Sequence, residues 1–195
     1  MSSRRLGQAV AEGAGISLLM KLADTDTGEA AGAQGASGLV VRGARGSSAA
    51  DHGLPVLARD ASPEDAAVAG ADAVVLHADD DELADLVERA AALGLEVVVE
   101  VRDKEGLERA LDRLDPEILL LSAEAADTDD GPLAHVLELL PDIPAGKFAI
   151  AALAHVTRED VEELERAGVD AVVVPRDVAT SGDLVALVGD EPPEV

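Results

Sequence analysis

The sequence predicts an α/β chain folded as a trimmed (β/α)8 barrel, with parallel strands closed into a ring and helices outside. Eight short runs rich in Val, Leu, Ile and Ala carry this expectation. They are Ile16–Lys21, Gly38–Arg42, Pro55–Asp60, Ala71–His77, Leu95–Arg102, Glu117–Ser122, Lys147–Leu153 and Ala171–Arg176. Most are followed by a helical pattern, and the next run is opened by Gly or Pro. Strands that alternate with helices imply parallel pairing through crossovers, and eight of them suit a closed ring. In such a barrel the chemistry sits at the C-terminal strand ends. Most of the runs end there in a polar or charged residue.

Taken in order, Met1–Ala14 reads as an N-terminal extension, a flexible lead-in or a short helix. The connection Ala23–Ser37 is broken by Gly and holds at best a short helix. Gly43–Leu54 (GARGSSAADHGL) lacks a 3.6-residue apolar pattern and reads as loop, so no clear helix is expected between strands 2 and 3. Ser62-Pro63-Glu64-Asp65 supplies a cap, a Pro at the first helical position and early acids. Asp79–Leu93 has Leu83, Leu86, Val87 and Ala90 at helical spacing, with Gly94 as its stop and Asp79-Asp80-Asp81 as an acidic first turn. Asp103–Leu114 repeats that design. Pro132–Leu140 ends before Pro141. Thr157-Arg158-Glu159-Asp160 opens a helix that runs to Gly168, and Ser181–Val188 reads as a short last helix. Gly70-Ala71-Asp72 and Gly168-Val169-Asp170 occupy the same helix-to-strand position, as recurring turn chemistry. Residues 15–190 thus form one barrel domain, followed by an acidic tail at 191–195. At 195 residues the chain is short for this architecture, which typically takes about 250 residues.

Composition narrows the function. The apolar fraction is 48%, and the one aromatic residue is Phe148, so the core must be aliphatic. There is no Cys, which removes disulfides, thiolate chemistry and zinc–cysteine sites. The net charge of −25 argues against nucleic acid or anionic membrane as partners. It fits a salt-rich cytoplasm or, equally, a compositional bias toward Ala and Asp. No apolar stretch reaches spanning length and the first residues lack a signal-type apolar region, so a cytoplasmic location is expected. His52, His135 and His155 have no ligand spacing, and the Asp127–Asp130 run lacks the remaining positions of a calcium loop. Neither a metal nor a cofactor is expected. The sequence carries no phosphate loop, dinucleotide fingerprint or nucleophile elbow.

The segments LPVLARD (54–60), AGADAVVLHA (69–78), LGLEVVVEVRDKEGLERAL (93–111) and HVTREDVEELERAGVDAVVVP (155–175) resemble indole-3-glycerol phosphate synthases. They match that family's third, fourth, fifth and seventh-to-eighth strand regions in order. The resemblance implies an enzyme that closes the indole ring of an anthranilate-derived ribulose phosphate, with loss of carbon dioxide and water, in tryptophan biosynthesis. It also implies lysine and carboxylate acids and bases at the strand ends and a phosphate pocket from the last loops.

Carried over residue by residue, the family's first-strand Glu-x-Lys falls on Leu19-Met20-Lys21, which keeps the lysine. The third-strand Lys-Asp becomes Arg59-Asp60, which keeps the charge but not a group that releases a proton near neutral pH. The fifth-strand Glu is Glu100. The sixth-strand Asn-Asn-Arg becomes Ser122-Ala123-Glu124, the seventh-strand Glu-Ser-Gly becomes Ala152-Leu153-Ala154, and the eighth-strand Gly-x-Ser becomes Pro175-Arg176-Asp177. The losses gather in the phosphate half. There Pro lacks an N–H, and Glu124 and Asp177 add negative charge.

The resemblance and the strand ends together nominate Lys21, Arg59 and Glu100 as the catalytic group, with Glu100 the expected partner of Lys21 across the mouth. Ser122, Arg176, Ser181 and Gly182 are the expected ligand-binding positions, the last two in the turn Thr180–Asp183. Arg42, His77 and Arg102 also end strands, and with Arg176 they make the mouth less acidic than the rest of the surface.

Three functions follow. The first is a divergent family enzyme of reduced or changed activity on a small anionic substrate. The second is a non-catalytic barrel that binds a protein partner or a small anion. Its thin side at residues 43–54 would be covered by a second subunit or another protein. The third is a Schiff-base enzyme that uses Lys21.

Overall fold

The computed structural model describes residues 6–13, 15–22, 28–43, 53–124 and 131–175. Eight parallel strands close into a barrel in chain order: β1 (Ser17–Lys21), β2 (Gly38–Arg42), β3 (Val56–Arg59), β4 (Ala73–His77), β5 (Glu96–Val101), β6 (Ile118–Ser122), β7 (Phe148–Ala152) and β8 (Ala171–Val174). Pairing of β8 with β1 completes the ring, with Leu18 opposite Val172 and Met20 opposite Val174. Each strand lies within the run expected for it.

Inward and outward residues alternate along each strand. Leu19, Val40, Leu57, Val75, Val98, Leu120, Ile150 and Val173 share one buried cluster inside the ring. The alternate residues, such as Leu18, Leu39, Val74, Val99, Leu119, Ala151 and Val172, pack outward against the helices. Close packing of the interior also explains Gly38. A Cβ there would come within 2.9 Å of Leu19 Cδ2.

The helices are α1 (Leu6–Ala11), α2 (Gly28–Ala33), α3 (Pro63–Val68), α4 (Leu83–Ala92), α5 (Lys104–Leu114), α6 (Gly131–Leu139) and α7 (Arg158–Ala167). Three start as their sequences require. Ser62, Asp103 and Thr157 each accept a backbone N–H from three residues on, and Thr157 with Asp160 forms a full capping box. The acidic stretch before α4 behaves differently from expectation. Asp80 Oδ1 accepts the Glu82 N–H at 2.9 Å, a local bond across the turn at Asp81 and Glu82. The helix therefore begins at Leu83, with Glu82 as an N-cap that makes no side-chain bond.

Helix α1 does more than lead into the barrel. Leu6, Ala9 and Val10 share one face and are buried, and Leu6 and Val10 join the barrel-interior cluster with Phe148 packed against it. The carboxylate of Glu96, on the inward register of β5, accepts the N–H groups of Leu6 and Gly7. The helix therefore stoppers the N-terminal end of the ring.

The two Gly-x-Asp turns do the same work in both places. Gly70 (φ 74°) and Gly168 (φ 96°) end their helices in left-handed backbone. Asp72 Oδ2 then accepts the Val56 N–H at 2.9 Å, and Asp170 Oδ2 accepts the Ala149 N–H at 2.7 Å. Each aspartate ties the start of its own strand to the strand before it. Most of the Gly43–Leu54 connection, the Asp127–Asp130 run, the Ser181–Val188 helix and the acidic tail lie outside the described residues, as do Arg176, Ser181 and Gly182.

Candidate functional site at the barrel mouth

Two residues beyond the interior residues named above, the same inward register gives Lys21, Arg42, Arg59, His77, Glu100, Ser122, Ala152 and Pro175, of which Ala152 still belongs to the interior cluster. One further step of two gives Arg102, Glu124 and Ala154. Strand periodicity alone thus brings these side chains to one opening, at the C-terminal end of the ring.

They form a connected ion network. Glu100 is its deepest member, with a side chain 1% exposed, and Arg59 beside it is 11% exposed. Arg59 Nη2 donates to Glu100 Oε2 at 2.9 Å, and Arg59 Nη1 donates to Glu124 Oε2 at 2.8 Å. The other oxygen of Glu124 accepts from Lys21 Nζ. Arg102 Nε donates to Glu100 Oε1 at 3.0 Å, and its Nη2 lies 3.2 Å from His77 Nδ1. His77 Nδ1 is also 3.6 Å from Glu100 Oε2. Outside this chain Arg42 pairs with Asp60 at 2.7 Å. Asp60 adopts left-handed backbone (φ 53°), which Asp tolerates better than most residues.

Electrostatics follow from that geometry. Burial would lower the pKa of the Arg59 guanidinium, but the charges and hydrogen bonds of Glu100 and Glu124 outweigh it and hold the group above its ordinary value. For Glu124, burial would raise the carboxyl, yet the Lys21 hydrogen bond and the Arg59 charge bring it below the usual carboxylate range. Both groups are therefore ionised at neutral pH. A cavity of about 430 Å³ opens beside them, lined by Lys21, Leu22, Val40, Val41, Arg42, Arg59, Glu124 and Ala154. It carries three cations and one carboxylate in a chain whose net charge is −25. Glu100 and Asp60 pair with Arg59 and Arg42 beside it, so the mouth is close to balanced and much less acidic than the chain as a whole.

The structure thus gathers Lys21, Arg59 and Glu100 at one opening, with Ser122 buried on the inward register of β6. One expected contact is replaced. Lys21 pairs with Glu124, whereas Glu100 is taken by Arg59 and Arg102. Glu124 is the residue that sequence reasoning passed over as a site member. Its signal was parity, since it stands two positions after Ser122 and so keeps the inward register.

Comparison with known proteins places the chain. The family model for indole-3-glycerol phosphate synthase matches residues 60–188. The chain belongs to the indole-3-glycerol phosphate synthase family. The synthase of Variovorax paradoxus (strain S110) is 36% identical over 129 residues, which cover 62% of this chain and 48% of that protein. The chain thus spans about half the length of this curated relative. Glu100, Ser122 and Glu124 lie inside the segment matched by the family model, while Lys21, Arg42 and Arg59 precede it.

Among solved structures, the N-acetylmannosamine-6-phosphate 2-epimerase of Clostridium perfringens superposes with a TM-score of 0.71 at 14% identity, covering 93% of this chain and 96% of that one. A citrate synthase variant gives 0.68 at 15% identity, covering 90% and 92%. At such identity these two neighbours establish the barrel fold alone.

Among the described residues no group of His, Cys, Asp and Glu is arranged to hold a metal ion. No described helix is long and apolar enough to cross a membrane.

Proposed function

We propose that this chain is a divergent indole-3-glycerol phosphate synthase family barrel. In this reading the mouth binds a small anionic ligand at Lys21 and Arg59 and turns over the family's ribulose-phosphate substrate slowly. The observation that carries the reading is the Glu124 carboxylate, which bridges Lys21 and Arg59 and so occupies both cations. Two roles in the family's chemistry suffer. Lys21 is the cation that would neutralise a substrate carboxylate, and its charge is already matched. Arg59 stands where the family pattern has a lysine, and a guanidinium does not release a proton near neutral pH, so general acid catalysis from that strand end is weak. Glu100, held by Arg59 and Arg102, positions the guanidinium.

The acidic surface supports a cytoplasmic protein with neither nucleic acid nor membrane as partner. The sequence of 43–54, which lacks a helical pattern, supports a second subunit or a protein partner there. A mouth whose charges are matched internally also fits a non-catalytic barrel that only binds.

Turnover separates the two readings. The chain is incubated with the anthranilate-derived ribulose phosphate and indole fluorescence is followed, against a background free of Trp and Tyr. Slow indole formation that disappears in Lys21→Ala and in Glu100→Gln, with both variants folded, supports the divergent enzyme. Formation at the same rate in Lys21→Ala removes it. No indole at low or at molar salt leaves the binding barrel.

A further inference from the structure

We propose that Glu124 is a resident carboxylate that makes the mouth select carboxylate ligands over phosphate esters. The inference rests on the reading that Lys21 and Arg59 receive an anionic ligand, and it names the head group.

The geometry displays one solution to holding an anion here. Glu124 presents one oxygen to Lys21 Nζ and the other to Arg59 Nη1, as a planar two-oxygen acceptor set between two cations. A ligand carboxylate entering the cavity finds the same two donors at the same spacing. It replaces Glu124 one charge for one charge while Glu124, whose side chain is 21% exposed, turns to water. Arg42, with a side chain 83% exposed and only a surface pairing to Asp60, adds a third cation at the rim. The rest of the wall is apolar (Leu22, Val41 and Ala154), which suits a ligand with a small apolar body behind its head.

A phosphate ester is served poorly by the same wall. It brings three terminal oxygens and up to two charges, and phosphate sites usually meet these with several backbone N–H groups or additional Arg and Lys. Beside Lys21, the inward position that follows β8 is Pro175, which has no N–H, and those at the end of β7 are Ala152 and Ala154. Glu100, 2.9 Å from Arg59, adds a fixed negative charge that a dianion feels more strongly than a monoanion.

The test is a matched pair of probes, benzoate and phenyl phosphate, which share a ring and differ in head group. Both are titrated into the full chain while backbone amide shifts are recorded. Phe148, the one Phe, Tyr or Trp, lies at the opposite end of the barrel, so shifts at Ala154 and Leu22, compared at constant pH because His77 and His155 also carry rings, report the probe.

Benzoate is expected to bind about tenfold more tightly than phenyl phosphate. Glu124→Gln, which removes the resident competitor, is expected to tighten benzoate about tenfold, the scale of a hydrogen bond to a charged group. Lys21→Met is expected to weaken it by a similar factor. Should Glu124→Gln fail to fold, the two probes on the unmodified chain and the Lys21→Met comparison still decide. Phenyl phosphate binding as tightly as benzoate, or Glu124→Gln leaving benzoate unchanged, overturns carboxylate selection. If that phosphate binding is lost in Lys21→Met, the anionic-ligand reading survives on its own. Absence of mouth shifts with either probe, in the unmodified chain and in Glu124→Gln, removes both.

Discussion

The β3–α3–β4 and β7–α7–β8 units are built alike at one end and unlike at the other. At the N-terminal rim each has a Gly in left-handed backbone followed two residues later by an Asp that ties two strands together, Asp72 to Val56 and Asp170 to Ala149. At the C-terminal rim, the inward positions of the first unit are Arg59 and His77, both in the ion network. The matching positions of the second are Ala152 and Pro175, with no charge at all. Stability devices thus repeat where the barrel needs its strands registered, and chemistry differs where the barrel faces its ligand, as the two ends of this architecture divide their labour. Among the described residues the inward positions of the mouth are polar or charged along β1 to β6 and apolar at β7 and β8.

The contrast can be broken most forcefully on the charged side. Arg59→Met removes the partner of the deeply buried Glu100 and leaves that carboxylate to Arg102 and His77. A loss of about 3 kcal/mol in unfolding free energy is expected, the scale for breaking a buried ion pair from one side, and chemical denaturation measures it. A loss below about 1 kcal/mol would show that Glu100 does not depend on the guanidinium.

On the apolar side the expected response is steric. Ala152→Leu adds volume to a fully buried position and is expected to cost about 2 kcal/mol by overpacking. A neutral result would mean that the β7 rim is looser than the structure shows.

The finest separation is by pH. The Glu124 carboxyl is held below its ordinary value of 4.5, so its stabilising contribution is complete above that pH and is lost as the pH falls through the still lower folded value. The stability difference between the unmodified chain and Glu124→Gln should therefore be largest above pH 4.5 and shrink toward acid. A difference constant from pH 3 to 7 would place the contribution outside the charge of Glu124.

Much of this was legible in the chain. All eight strands were, because Val-, Leu- and Ile-rich runs bounded by Gly and Pro leave little choice of structure. The helix starts at Ser62 and Thr157 were legible because the required oxygen lies three residues before its N–H. The convergence of Lys21, Arg59 and Glu100 followed from the strand ends taken together with the family resemblance.

The pairing did not. Glu100 and Glu124 both reach the mouth, and which of them meets Lys21 depends on how the ring places β5 and β6 around β1, a long-range fact that no local pattern carries. The start of α4 was misplaced because the side chain of Asp80 competes for a backbone N–H that a helix reading assigns to the macrodipole. The depth of α1 was hidden for a similar reason. Leu6, Ala9 and Val10 show helical spacing, but six residues give no hint that Glu96, ninety positions away, accepts their first N–H groups.

The most direct measurement is the rate of indole formation by the unmodified chain beside that of Arg59→Lys/Glu124→Gln. The double variant returns a proton-bearing lysine to the third strand end and frees Lys21 from its resident carboxylate. The expected result is a slow unmodified chain and a variant faster by about a hundredfold, the lower range of general acid–base catalysis. An unmodified chain that turns over as fast as the variant, or faster, would contradict the idea that Arg59 and Glu124 hold this barrel back.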